Sequence, residues 1–354
     1  MLRGALSLSG RAGVGASAAC IAFASVISLA GCGTMGRSTS PPVNANASKP
    51  TAAVLGYVWD SRVSGLRPVT GVLGAAHLEN STLGSTFAAA TPCVGKNFAL
   101  LADPAGVVLM MSLPAGQPIQ LAGSIAKNER LLLSPSCSYG LVYAPGNPAA
   151  LLISGLPASP LVQSLSLSSA VSIVGAVVSD KGSVLLAGLN SDGSASVQLI
   201  PISGPPQSIK RLSSFGAMAF SPGGDAAVLA DSAVNTVWLA TQLSGSPAVA
   251  QLASSSDGVS KPLAASVSAD GHFAFVANGS GGTILRFDLS SGSGPMSISC
   301  ACAPSELIPL FGNAGFQLTD PAAGTIFALE GDSRMPRTLF IPTDKVGAVS
   351  GGTQ

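Results

Sequence analysis

Histidine is almost missing from this 354-residue chain, which has only His77 and His272. Charged residues make up 9% of it and aromatic residues 5%. The 17 basic and 16 acidic side chains form no basic stripe, which argues against nucleic acid as a partner. There is no P-loop, no H-E-x-x-H pair and no G-x-S-x-G elbow, so three common catalytic or phosphate-cradling motifs are excluded. The Gly-rich "GSGG" at 279–282 reads as a turn. No catalytic residue, metal site or cofactor is expected on these grounds. Long helical patterns of Glu, Lys and Leu are missing too. What is present is a series of short apolar runs punctuated by Gly, Pro, Asn and Asp, which points to an all-β chain.

The amino terminus reads as an address. Arg3 and Arg11 are the only charged residues ahead of Cys32, and residues 12–30 are apolar and small. The run ends in Leu29-Ala30-Gly31-Cys32. This resembles the lipobox of bacterial lipoproteins at every position. The resemblance implies a signal peptide over 1–31, cleavage before Cys32, and acylation of that cysteine. Two or three acyl chains anchor stably, since each buried CH₂ contributes about 0.8 kcal/mol. The expected partner is therefore a membrane, through the lipid. Gly33 stands where an Asp retains enterobacterial lipoproteins at the inner membrane, so the outer membrane is favoured, on its periplasmic or surface face. Residues 32–50, rich in Pro, Ser and Asn, read as a flexible linker.

The remainder, 51–354, repeats. "YVWD", "LLAD", "LVYAP", "LAGLN", "VLAD", "FVAN" and "QLTD" end at Asp60, Asp103, Pro145, Asn190, Asp231, Asn278 and Asp320, at intervals of 41 to 47 residues. That period matches propeller blades of four strands. The fifth unit shows the grammar: inner strand "GAMAF", turn "SPGGD", apolar strand "AAVLAD", turn "SAVN", then "TVWLATQL" and "AVAQLA". An apolar second strand is expected where a sheet is packed on both faces. The chain therefore reads as a seven-bladed β-propeller. Its first unit starts late, because "VLGYVWD" is already a second strand. "KVGAVS" at 345–350 is the candidate inner strand, with residues 51–54 as the alternative donor.

The units "SADGHFAFVAN" and "SPGGDAAVLAD", followed by "GTILRFDL" and "NTVWLATQL", resemble bacterial propellers of the YVTN type, a group that includes lactonase-like and surface-layer proteins. The resemblance covers about residues 52–345. It implies fold far more than function, because propellers host many activities. Within it, Asp270-Gly271 is a turn, and His272 fills a slot held elsewhere by Ala226 or Ser183. The recurring Asp60, Asp103, Asp231 and Asp320 read as turn caps. No acidic cluster is visible at matching inner positions.

Four cysteines remain for an exported body: Cys93, Cys137, Cys300 and Cys302. Cys93 and Cys137 fall in equivalent turns of adjacent units, where a staple fits. Cys300 and Cys302 sit where the sixth unit passes to the seventh. The readings, in order, are disulfides, free thiols and metal ligation. The function expected is binding or scaffolding of a protein, peptide or glycan by a lipid-anchored disc. A lactonase-like or other hydrolytic enzyme using the central funnel is the alternative, and a purely structural envelope component is the third reading.

Overall fold

The computed structural model describes residues 53–343, except 84, 85, 127, 166 and 168–171. Leu29, Ala30, Gly31, Cys32 and the segment 345–350 lie outside the described residues. Seven antiparallel sheets follow one another along the chain, at residues 54–78, 89–122, 130–165, 172–212, 215–253, 262–299 and 308–341. Six of them pair four strands in chain order, from the channel outward; the first has three among the described residues. Two short 3₁₀ turns, Ser255–Asp257 and Pro321–Ala323, are the only helical elements among the described residues.

Hydrophobic burial explains the ring. Second strands such as Phe98–Ala102 and Ala227–Asp231 are buried along their whole length. A strand with both faces covered needs apolar side chains in both directions, which accounts for "FALLA" and "AVLA" where a half-exposed strand would alternate. The core is seven layers, one in each seam between blades. The layer that closes the ring packs Val58, Val69 and Leu78 of blade 1 against Leu310, Ile326, Ala328 and Ile341 of blade 7. Inner strands crowd towards the channel. A Cβ on Gly216 would stand 2.6 Å from the Pro262 carbonyl oxygen of the next blade, so only glycine fits there.

Blade 1 keeps the phase that the repeat predicts. Leu78 pairs in parallel with Thr343, just beyond the fourth strand of blade 7, Arg337–Ile341. Leu78 lies in His77–Leu78, which is antiparallel to Gly65–Thr70, itself antiparallel to Val54–Asp60. Val54–Asp60 therefore runs in the direction of a second strand. The two donors considered for an inner strand fare differently. Val54 opens this strand itself, and 345–350 lies outside the described residues.

The two faces of the disc differ. On one lie the turns between first and second strands, which are tied together from blade to blade. Asp180 in the blade 4 turn accepts hydrogen bonds from Ser136 N and Oγ of blade 3, at 2.7 and 2.6 Å, and from Gly223 N of blade 5 at 3.4 Å. Asn313 of blade 7 donates to Asp270 of blade 6 at 2.7 Å. A disulfide joins Cys93 in blade 2 to Cys137 in blade 3, with Cα atoms 6.0 Å apart. The other face carries the ends of the second strands and the connectors that lead from one blade into the next.

Candidate functional site

The open face is organised by side chains that hold the connectors. Asp231 accepts from Ser213 N at 2.6 Å and Ser214 N at 3.1 Å, fixing the entry to blade 5. Asn278 accepts from Ser260 N at 2.9 Å and donates to the Gly258 carbonyl, fixing the entry to blade 6. Glu129 does the same for blade 3, accepting from Ile125 N at 2.8 Å. It is 7% exposed, and its Oε2 has no hydrogen-bond partner among the described residues. Asp103 and Asp320 cap their own turns through Ala105 N and Ala322 N, each at 2.8 Å.

Asp60 caps its own turn too, accepting from Arg62 N at 3.1 Å, and adds an ion-pair role to it. Its carboxylate is fully buried and accepts from both Arg62 and Arg67 at 3.0 Å. Burial alone would raise its pKa, but the hydrogen bonds from Arg62 and Arg67 outweigh that and hold it below the usual value.

At the entry to blade 7 the connector presents Glu306. Its backbone is fixed by bonds from Ser305 N and Glu306 N to the Leu318 carbonyl, and its Oε2 accepts from buried Gln317 at 2.9 Å. Burial raises the Glu306 pKa to about 6; the Asp320 carboxylate adds to the rise, and Gln317 and Arg130 pull it back. The influence of Arg130 is informative. It opens the inner strand of blade 3, Arg130–Leu133, and blades 3 and 7 are not neighbours in the ring. The charge of Arg130 therefore acts on Glu306 from across the central channel. Arg62 of blade 1 in turn feels Asp320. Asp320, Glu306 and Arg130 thus place both signs of charge round the channel mouth, whereas Arg62 lies farther out, beside Thr325 and Ile341 of blade 7. Leu263 and Ile308, 49% and 38% exposed at the starts of the blade 6 and blade 7 inner strands, add an apolar lip.

This cluster was not visible in the sequence. Glu306 precedes its strand and Asp320 follows a different one, so the two occupy no shared repeat position. The two histidines stand elsewhere. His272 is exposed beside the Asp270-Gly271 turn on the tied face, its backbone N donating to Asp270 at 2.9 Å. His77 lies on an outer strand within 3.2 Å of Thr70 Oγ1. Cys300 and Cys302 are bonded to each other, with Cα atoms 5.0 Å apart. Among the described residues, no three His, Cys, Asp or Glu side chains are grouped to hold a metal ion.

No protein-family model matches the chain, and no curated protein sequence does. Solved structures do. Virginiamycin B lyase from Staphylococcus aureus is 12% identical with a TM-score of 0.54, over 71% of this chain and 82% of the lyase. A functionally unknown protein from Desulfotomaculum acetoxidans is 14% identical with a TM-score of 0.56, over 82% of this chain and all of that one. A Lactobacillus plantarum protein is 13% identical with a TM-score of 0.55, over 82% and 96%. These likenesses show the fold. At such identity they carry no activity across to this chain.

Proposed function

We propose that the chain is a lipid-anchored, extracytoplasmic β-propeller that binds a partner at its open face, and that the partner presents a peptide segment to the channel mouth. The observation that carries this reading is the buried Glu306 carboxyl at the entry to blade 7, on which the Arg130 charge acts from across the ring, beside the exposed Leu263 and Ile308. A mouth with a carboxylate, a guanidinium and an apolar lip suits a chain that offers a charged group next to a hydrophobic one. A glycan would use the apolar lip less. Anchoring through Cys32 rests on Leu29-Ala30-Gly31-Cys32, and the bonded cysteine pairs fit an oxidising compartment outside the cytoplasm.

The test is photo-crosslinking in the native envelope. A photoreactive residue at Arg130 or Ile308 should trap a partner, whereas one at Lys181 on the tied face should not. Equal trapping from both faces, or trapping from Lys181 alone, would refute the mouth as the binding surface.

One observation favours a second reading. A carboxyl with a pKa of about 6 suits general acid–base catalysis near neutral pH. A hydrolase or lyase at the mouth would then rely on Glu306. The solved lyases include a catalytically inactive histidine-to-alanine variant with quinupristin. Neither His77 nor His272 stands at the mouth here, and this ranks binding first.

A further inference from the structure

The two disulfides differ in every respect that governs reactivity. Cys93 and Cys137 are 4% and 6% exposed, lie 44 residues apart and sit inside the core layer between blades 2 and 3. Cys300 and Cys302 are half-buried, flank the exposed Ala301 and lie two residues apart. They follow the outer strand of blade 6, Met296–Ser299, and open the connector to blade 7. Among the described residues their segment makes one backbone bond to the blade, from Cys300 N to the Gly282 carbonyl at 2.7 Å, and both cysteines pack on the edge of the core layer between blades 6 and 7.

The stability that a bridge contributes to the fold grows with the logarithm of the loop it closes. A long loop such as that between Cys93 and Cys137 gives a large effect, and a two-residue separation gives a small one. Reaction with an external thiol also needs access to a sulfur, which burial between blades denies to Cys93 and Cys137. We propose that Cys300–Cys302 is a thiol–disulfide exchange site that takes dithiols as substrates, with Cys93–Cys137 a structural bridge. In the step, a thiolate of the dithiol attacks one cysteine sulfur. The Cys300–Cys302 bond breaks, a mixed disulfide forms, and the other cysteine leaves as a thiolate and takes up a proton. The second thiolate of the substrate then displaces the first cysteine and closes the substrate disulfide. Two electrons pass from the dithiol to the cysteine pair. The site does not depend on the mouth or on Glu306, so it stands or falls apart from the binding role.

The test uses the full-length oxidised chain and graded dithiothreitol, followed by alkylation and peptide mapping. Cys300 and Cys302 should become alkylated at roughly one tenth of the reductant needed for Cys93 and Cys137, or less. In a Cys302→Ser variant the remaining Cys300 should take up glutathione from oxidised glutathione. Opening of both bridges at the same concentration would overturn the proposal. So would free Cys300 and Cys302 in the oxidised protein, or the lack of a glutathione adduct in the variant.

Discussion

Arg67 Nη1 donates to Asp60 Oδ2 at 3.0 Å, and the two side chains are only 7% and 1% exposed. It is the most enclosed ion pair among the described residues, and it secures the start of the ring. Removing one partner strands the other charge in the interior. Asp60→Asn should therefore cost about 3 kcal/mol in chemical denaturation. The pH dependence follows from the sign of the shift. A carboxyl whose folded pKa is depressed contributes stability above its unfolded pKa and loses it as pH falls through the folded value. The wild type should lose stability across that acid range, and Asp60→Asn should lose less. Equal acid slopes would show that the pair makes no such contribution.

The Cys93–Cys137 bridge spans 44 residues, for which loop-closure reasoning gives about 4 kcal/mol as an upper figure. The closed ring already holds blades 2 and 3 together, so the double Cys→Ser variant should lose about 2 kcal/mol. Non-reducing peptide mapping should recover Cys93 and Cys137 in one linked peptide. Alkylatable thiols at both positions in protein purified without reductant would contradict the bridge.

Asp180 ties three consecutive blades on one face through Ser136 and Gly223. These bonds are partly solvated, so Asp180→Ala should cost about 1 kcal/mol, which for a chain this long lowers Tm by about 2 °C. A melting temperature equal to that of wild type would assign Asp180 no role in tying the blades.

Lipid attachment is read from sequence alone. Cys32→Ser should abolish palmitate labelling and leave the signal peptide uncleaved. Labelling equal to wild type would end that reading.

The fold was legible because a propeller is periodic. The ends of the seven "LLAD"-like units recur by blade, and the second strands are apolar because both their faces are covered. Even the late start at "VLGYVWD" was visible, since Asp60 falls in phase with Asp231 and Asn278. The mouth was not legible, for the opposite reason. Glu306 and Arg130 are specific to single blades, and the charge of one acts on the other only because the ring brings blades 3 and 7 to a common channel. Asp180 was not legible for the same reason, since its partners lie about one repeat away on either side and its neighbours do not mark it. The turn-cap role of Asp60 was legible from its repeat position, but its second role was not, because the sequence does not show that Arg67, on the paired strand, folds back onto it.

The most direct test of the mouth is the titration of the Glu306 carboxyl, followed by NMR in wild type and in Arg130→Gln. A carboxyl whose folded pKa is raised destabilises the fold as pH rises from its unfolded value to its folded one, so Glu306→Gln should gain up to about 2 kcal/mol at pH 7 relative to pH 4. The wild-type carboxyl should titrate at about 6, and loss of the Arg130 charge across the channel should move it higher. An ordinary carboxylate pKa in wild type, or a value unchanged in Arg130→Gln, would contradict the account that these two blades meet at one site.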